Sequence, residues 1–247
     1  MYRTISVAIP HYNNSHFMNE TLESLINDKR ISEIVICDDS SKDIDHLELL
    51  INNLNCSKIK LYKNDKNLGC YHNKLEAVSK CTNDWAILLD SDNIIGTDFI
   101  DTLFHIDVWD YKLIYTSSNA ITFPGLVSPV LNFSAFSDLI INKDIFLREF
   151  NNVNFLCLIN NCNYFLPTKQ YYHCMKDMGS QYNRNIIDSQ DSSVLFADWL
   201  CAHNFVKVVK DLSYKHRCHS LSNYMTSRSK QYEPMVKQFI FNKVQNL

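Results

Sequence analysis

Two carboxylates stand one residue apart in the segment WAILLDSDN, at Asp90 and Asp92, directly after an apolar run that predicts a buried strand. Anions this close repel each other, so a cation is expected between them. In an extended segment, side chains two residues apart project from the same face, and hard divalent cations prefer oxygen ligands. The pattern therefore predicts a site at which a metal ion bridges to phosphate oxygens, with a solvated turn as the alternative.

A second Asp-x-Asp pattern, at Asp43 and Asp45, has a different context. It opens a predicted helix, where acidic residues cap the N-terminus and interact favourably with the helix dipole. Only the pair that ends a buried strand is therefore a candidate for metal binding.

The first half of the chain alternates predicted strands, at 5–10, 34–37, 59–62 and 86–89, with stretches of helical apolar spacing. Such alternation predicts a mostly parallel sheet covered by helices on both faces. Ligands of such sheets bind beyond the carboxyl ends of the strands. Three of these ends are polar, in the stretches IPHYNN, ICDDSS and LLDSD.

After residue 106 the pattern is less regular. Strands are expected at 113–116, 163–166, 205–209 and 213–216, a loop at 121–129 and a helix at 189–203. From Pro234 onward, apolar residues fall on one helical face. This tail is expected to pack on the body, with a homodimer contact or a membrane surface as alternatives.

The composition excludes several classes of protein. The 247 residues are 46% hydrophobic, which is enough for a substantial core, and their formal charge of −3 gives no basic field for nucleic acid. No signal peptide is recognisable, and no apolar run approaches the roughly 20 residues that span a bilayer. We expect a soluble, cytoplasmic protein whose nine cysteines, none in a CxxC pair, are mostly reduced.

Four stretches, IPHYNN, ICDDSS, KNLGCYHNK and WAILLDSDN, occur in this order and together resemble the N-terminal half of a family 2 glycosyltransferase, well over residues 4–100 and loosely beyond. The resemblance implies the α/β GT-A fold, with a Rossmann-like, mixed and mostly parallel central sheet and helices on both faces. The expected parts are a nucleotide-sugar-binding half (1–106), an acceptor and catalytic half of the same domain (107–233) and a C-terminal amphipathic helix (234–247).

The resemblance also implies roles for residues of the first half. Asp38 would bind the base, usually uracil, and the loop and helix beside the nucleotide would contribute Asn67, Gly69 and Lys74. The usual Ala-Arg-Asn stretch after the Asn-x-Gly loop is absent, so a surface lysine is an alternative for Lys74. The residues that would contact the nucleobase and ribose are Pro10, His11, Tyr12 and Asn13.

The resemblance gives the Asp-x-Asp segment a place in the same site. Asp90 and Ser91 would bind the nucleotide sugar near the ribose, and Asp92 would hold manganese or magnesium. Asn163, in a segment that resembles the part lying under the donor sugar, would bind the sugar, with an ordinary loop-to-strand junction as the alternative.

Catalytic groups are expected in the second half. Asp188 and Asp191 precede a predicted helix where the family carries two acids, the second of them the base. We favour Asp191 as the base, with Asp188 and simple helix N-capping as alternatives. Two histidines, His216 and His219, flank Arg217 after the last predicted strand. By resemblance a histidine here contacts the metal or the diphosphate and the arginine neutralises the leaving phosphate; a structural role is the alternative.

The implied reaction moves a hexosyl or N-acetylhexosaminyl group from a nucleoside diphosphate, expected to be UDP, to a hydroxyl of a glycan, protein or lipid-linked acceptor. The reaction would proceed with inversion and be assisted by Mn²⁺ or Mg²⁺. A non-catalytic nucleotide- or glycan-binding module with the same fold is the alternative. A phosphohydrolase of the haloacid dehalogenase type would carry Thr or Val where Ile94 stands, and a sugar-nucleotide pyrophosphorylase would need a glycine in IPHYNN.

Overall fold

The structure is a computed structural model that describes residues 3–123, 131–161, 163–219 and 227–247. The strands in these residues are β1 (Ile5–His11), β2 (Ile31–Asp38), β3 (Ile59–Lys63), β4 (Trp85–Leu88), β5 (Leu113–Phe123), β6 (Ile140–Ile141), β7 (Tyr164–Pro167) and β8 (Phe205–Arg217). They form one sheet in the order β3-β2-β1-β4-β7-β5-β8-β6.

The sheet is mixed and mostly parallel, which confirms the predicted fold class. Strand β1 is parallel to β2 and β4, β2 is parallel to β3, and β5 is parallel to β8. Strand β7 runs antiparallel between β4 and β5, and the short β6 pairs antiparallel with β8 at the edge.

Helices cover both faces of this sheet. Their bounds are α1 (Ser15–Ile26), α2 (Ile44–Leu54), α3 (Cys70–Ser79), α4 (Thr97–Phe104), α5 (Lys143–Glu149), α6 (Val153–Ile159), α7 (Thr168–Met175), α8 (Arg184–Ile187), α9 (Asp191–Cys201) and α10 (Ser227–Gln245). Val7 and Ile9 of β1 pack in the apolar cluster under α1, α2 and α4, whereas Ala8 packs in the one under α3, α7, α9 and α10. The central strands are therefore buried on both sides, which explains their near-continuous apolar sequences.

Strand β5 is longer than the predicted 113–116, and the expected loop at 121–129 is wrong at its start. The strand continues through Phe123 because it pairs with β8 along most of its length. The buried hydroxyl of Ser117 on this strand has a partner, since Asn161 Nδ2 donates to Ser117 Oγ at 3.1 Å. The remainder of the expected loop lies outside the described residues.

The two strands expected at 205–209 and 213–216 are one strand, β8. The polar residues between them form an irregularity rather than a turn: Asp211 has a φ of +62°, and the register against β5 shifts beside it. Such a bulge lets one strand continue past residues that look like a break in the sequence.

Helix α10 begins at Ser227, so Pro234 lies inside the helix and not at its start. Val236, Ile240 and Val244 on its inner face are at most 1% exposed. The tail thus packs on the body, as expected. Among the helices that the structure describes, none combines the length and the apolarity that crossing a membrane requires.

Candidate active site

The carboxyl ends of β1, β2 and β4 lie side by side because β1 stands between the other two strands. His11 is level with Asp38 in the register of β1 and β2. The amide of Leu89, next to Asp90, donates to the carbonyl of Ala8 at 2.9 Å. The polar residues identified in the sequence therefore lie together beyond the carboxyl ends of these strands.

Pro10 and His11 are buried at the end of β1, and His11 supports Asp38 from behind. The distance from His11 Nδ1 to Asp38 Oδ1 is 2.8 Å, and the Ser41 amide donates to Asp38 Oδ2 at 3.1 Å. Burial alone would raise the pKa of Asp38, but the hydrogen bonds from His11 and Ser41 outweigh it and hold the pKa below its ordinary value. His11 is fully buried and lies behind Asp38, which is itself 2% exposed. His11 therefore does not contact a base directly in this arrangement.

The residues that follow β1 form the exposed wall of the same edge. Tyr12 is 46% exposed, which leaves its ring free to lie against a planar ligand. Asn13 joins this loop to the loop after β2, since its amide donates to Ser41 Oγ and its Oδ1 accepts from the Lys42 amide. Asn13 adopts the left-handed conformation that asparagine tolerates, with a φ of +53°.

Asp39 organises the Asn-x-Gly loop, a role that the sequence did not reveal. The buried carboxylate accepts from the amides of Leu68 (2.7 Å) and Gly69 (2.9 Å) and from Asn64 Nδ2 (3.0 Å). Asn67 Nδ2 in turn donates to the Asp39 carbonyl at 3.2 Å. The only sequence signal for this role is an acid at the end of a strand, which does not distinguish Asp39 from Asp38.

Lys74 is buried, so its interpretation as a surface lysine is wrong. It is 6% exposed, and its Nζ lies 3.0 Å from Asp90 Oδ1 and 2.6 Å from Asp191 Oδ2. Burial raises the pKa of Asp90, and the nearby Asp92 and Asp191 add to this effect while Lys74 opposes it. One cation thus faces two carboxylates, and a third carboxylate lies close by.

The structure separates the two candidate bases. Asp188 is used within the protein, since its Oδ2 accepts from Arg184 Nε at 2.9 Å and its Oδ1 accepts from the Tyr71 amide at 3.4 Å. The same carboxylate lies against Gly69, which has a φ of +91° and where a Cβ would collide with it. Burial raises the pKa of Asp188, although its bond to Arg184 opposes the change.

Asp191 is the first residue of α9 and points to Lys74. The N-cap of this helix is Gln190, and no side chain caps it. Helix N-capping by Asp191 is therefore wrong as an explanation of this acid. Its side chain is 16% exposed, so a ligand at the sheet edge can reach it.

A pair of bridging hydrogen bonds brings the end of β8 to the Asp-x-Asp segment. The amide of Ile94 donates to the carbonyl of Lys215, and the amide of Lys215 donates to the carbonyl of Ile94. As a result His219 Nε2 lies 2.8 Å from Asp92 Oδ2. These two residues are 127 positions apart in the chain.

Asp92 and His219 form the part of the site that fits a divalent cation. A carboxylate and an imidazole nitrogen face each other, both side chains are partly exposed, and both groups are metal ligands. Within the described ranges no three acidic, histidine or cysteine side chains converge on one point, so a cation here would take further ligands from phosphate oxygens or water. His216 is directed to Tyr214, whose hydroxyl lies 3.4 Å from His216 Nδ1, and burial lowers the pKa of His216.

Arg217 supports the Asp-x-Asp segment instead of projecting toward a phosphate. Its guanidinium lies between the rings of Phe17 (4.6 Å) and Phe123 (4.4 Å). Its Nε donates to the carbonyl of Asp92 at 3.0 Å, and its Nη2 donates to Glu20 at 2.9 Å. With only 7% of Arg217 exposed, the predicted contact with a leaving phosphate is replaced by a positioning role.

Asn163 lies directly under the Asp-x-Asp segment. Its Oδ1 accepts from the amide of Asp90 at 3.2 Å and from Asn93 Nδ2 at 3.4 Å, and the residue is 1% exposed. Ser91 is also buried, with its Oγ accepting from Asn14 Nδ2 at 3.4 Å. Both residues therefore shape the segment from beneath.

Comparison with known proteins gives a family match for the first half of the chain and solved structures with a similar fold. Residues 6–114 match the model of the family described as Glycosyl transferase family 2. TarS 1-349 from S. aureus in complex with UDP-GlcNAc has a TM-score of 0.64 at 16% identity, covering 98% of this chain and 72% of that one. The same protein in complex with UDP has a TM-score of 0.60 at 17% identity, covering 98% and 71%.

The mannosyltransferase PcManGT from Pyrobaculum calidifontis, in complex with GDP-Man and Mn²⁺, has a TM-score of 0.59 at 9% identity, covering 100% of this chain and 74% of that one. No curated protein matches the chain in sequence. At these identities the structures establish the fold, and the family match establishes the resemblance predicted from the four sequence stretches.

Proposed function

We propose that this chain, whose residues 6–114 match the model of Glycosyl transferase family 2, is an inverting, metal-assisted glycosyltransferase. The protein would move a sugar from a nucleoside diphosphate, with a UDP-sugar as the expected donor, to an acceptor hydroxyl. Solved structures similar to this chain include complexes with UDP, UDP-GlcNAc and GDP-Man, which supports a nucleotide sugar as the donor class.

One observation carries this proposal: Lys74 joins Asp90 to Asp191. The contact puts an acid from the second half of the chain in the same site as the Asp-x-Asp segment of the first half. A transferase needs this combination, because the groups that stabilise the leaving diphosphate and the base that deprotonates the attacking hydroxyl must lie within a few ångströms of each other.

In the proposed reaction Asp191 accepts the proton of the acceptor hydroxyl as the new bond forms. Lys74 holds the carboxylate in place and, when bound to Asp90 at the same time, keeps the base beside the donor. Asp92 and His219 would hold Mn²⁺ or Mg²⁺, which when bound offsets the negative charge that gathers on the leaving diphosphate. Asp39 fixes the loop of Asn67 and Gly69 beside the nucleotide, and Tyr12 lies against the base.

The ion pair between Lys74 and Asp191 also favours a second candidate, a binding module without turnover. A carboxylate that a lysine already holds in an ion pair can serve a site that binds a ligand but does not react with it. For the transferase we further propose a glycan, protein or lipid-linked acceptor in the cytoplasm. We also propose that the donor carries a hexosyl or N-acetylhexosaminyl group and that the chain forms a homodimer.

The test is a thermal-melting panel with UDP, GDP, CDP and dTDP, each with and without Mn²⁺. We expect a metal-dependent rise for one nucleotide, of about 2.7 kcal/mol in stability at a concentration 100 times its Kd. Asp92→Asn should lose the metal-dependent part, whereas Asp177→Asn at an exposed position should keep it. No shift with any nucleotide would overturn the assigned pocket.

Release of the nucleotide from sugar donors then separates the two candidates. A transferase hydrolyses its donor slowly in the presence of Mn²⁺ even without an acceptor, and a binding module does not. A nucleotide that raises the melting temperature without any sugar donor being turned over would therefore establish the module.

A further inference from the structure

A buried polar cluster lies outside the proposed active site, where Asp198 of α9 meets three other segments. Its fully buried carboxylate accepts from the hydroxyls of Tyr71 (2.6 Å) and Tyr182 (2.9 Å). Lys243 of α10 contacts both the carboxylate and the hydroxyl of Tyr182. These four residues are called the Asp198 cluster below.

Two of the three helices that meet in this cluster, α3 and α9, also carry the proposed base and its lysine. On α3, Tyr71 and Lys74 are three residues apart, and on α9, Asp191 and Asp198 are seven apart, so each pair lies on one helical face. Tyr71 contacts Asp198 and Lys74 contacts Asp191. Helices α3 and α9 are thus joined at two points, one in the proposed active site and one in the Asp198 cluster.

The segment of Tyr182 leads to the nucleotide side of the site. Arg184 follows two residues later, and its guanidinium donates to the carbonyl of Asn67 and to the Asn67 side chain. Asp188, bound to Arg184, lies against Gly69. The Asp198 cluster therefore connects α10 to the base, to the lysine and to the Asn-x-Gly loop.

The charges of the cluster depend on each other. Burial raises the pKa of Asp198 to about 7 and lowers the pKa of Lys243 to about 8. Both shifts are toward the neutral forms, which means that the protein interior disfavours either charge without its partner. The packing of α10 itself is apolar, through Val236, Ile240 and Val244, so Lys243 adds a polar contact at a defined place.

We propose that Asp198 and Lys243 are positioning residues for the active site. The Asp198 cluster holds α9 against α3 in the register at which Asp191 meets Lys74, and it makes α10 part of the catalytic unit. This inference rests on the proposed function for its effect on turnover, and on the structure alone for its effect on the two helices.

The test compares Lys243→Met with Lys237→Met. Lys237 lies on the same helix and forms only a partly exposed pair with Glu233. With UDP-glucose and UDP-GlcNAc in the presence of Mn²⁺, we expect Lys243→Met to lower kcat about tenfold or more and to leave the KM of the donor within about threefold, because small displacements of a catalytic group reduce the rate steeply. Lys237→Met should behave as the wild type.

A double variant distinguishes positioning from general instability. Asp198→Asn combined with Lys243→Met removes both charges at similar volume, and we expect it to recover most of the lost kcat because no buried charge is left alone. Equal kcat in Lys243→Met and Lys237→Met would overturn the proposal. So would a loss of kcat that the double variant does not recover.

Hydrogen exchange gives a readout that does not depend on activity. In Lys243→Met the amides of α9 near Asp198 and those of α3 beyond its first turn should exchange faster than in Lys237→Met, because local opening is favoured where the joining contact is lost. If the wild type turns over no donor, the proposed function fails, while the exchange data still decide on the cluster. Should Lys243→Met not fold, Tyr182→Phe replaces it, with a smaller change of the same kind expected; unchanged exchange and kcat there would overturn the proposal.

Discussion

A buried carboxylate at the amino end of the parallel strands and two partly exposed carboxylates at their carboxyl end differ in how well the protein satisfies them. At the amino end, Glu33 of β2 accepts from Ser6 Oγ (2.7 Å), from Lys60 Nζ (2.6 Å) and from the amide and hydroxyl of Thr82 (2.8 and 3.1 Å). At the carboxyl end, Asp90 and Asp191 share Lys74.

The pKa values of the two groups shift in opposite directions. Burial alone would raise the pKa of Glu33, but the hydrogen bonds from Lys60, Thr82 and Ser6 bring it below its ordinary value. The pKa of Asp90 is raised, first by burial and then by Asp92 and Asp191. The fold can therefore satisfy a buried acid, as it also does for Asp38 and Asp39 at the carboxyl end. Asp90 and Asp191, which share one lysine, are the place where a cationic or polar ligand is expected.

Replacing the proposed base is expected to have the largest effect. Asp191→Asn should lower kcat by at least about 100-fold, because a positioned general base contributes 10²–10⁴ in rate. The melting shift caused by nucleotide and Mn²⁺ should stay as in the wild type. Glu33→Gln is the matched control from the other end of the sheet, and it should keep kcat per folded molecule. Turnover of Asp191→Asn within threefold of the wild type would remove Asp191 from the mechanism.

Glu33→Gln should have the next largest effect, on stability. Losing charge-assisted hydrogen bonds at a buried site should lower the free energy of unfolding by about 2 kcal/mol at pH 7. The folded pKa of Glu33 lies below its ordinary value of 4.5, so its contribution is present above pH 4.5 and is lost as the pH falls through the folded pKa.

Urea unfolding at pH 7 and at pH 3–4 measures this difference between wild type and variant, which should shrink in acid. Glu23→Gln at an exposed position of α1 is the control, and it should stay within about 0.5 kcal/mol of the wild type. If the difference in unfolding free energy between wild type and Glu33→Gln were larger in acid than at pH 7, the hydrogen bonds of Glu33 would not be what stabilises its charged form.

Asp90→Asn should have the smallest effect, and in the opposite direction. It removes one of three neighbouring carboxylates while Lys74 keeps Asp191 as its partner. We expect the free protein to become more stable by up to about 1 kcal/mol, since a site kept for a ligand is held at a cost in stability. The effect is limited because the Asp90 side chain is 30% exposed.

Thermal melting without and with nucleotide and Mn²⁺ tests this prediction. The variant should melt higher than the wild type when free and gain less from the ligands. A variant that melts lower when free would show that the carboxyl end is satisfied as fully as the amino end.

The local features of the first half followed from the sequence. Strands such as β1 and β4 are short apolar runs that end in polar residues, so a few neighbouring residues are enough to predict them. The position of Asp90 and Asp92 at the end of a strand could be predicted for the same reason. The short helices α5 to α8 were not predicted, because segments of 4 to 8 residues are too short to show a helical period.

The fold class, the polar strand ends and the resemblance to a known family could be predicted from the amino-acid sequence, because each depends on residues close together in the chain. The packing of distant segments places Lys74 between Asp90 and Asp191, His219 against Asp92 and Arg217 beneath them. These contacts join residues up to 127 positions apart. They depend on the strand order and on the bridge from Ile94 to Lys215, and no local pattern of hydrophobicity or charge encodes which distant segments become neighbours.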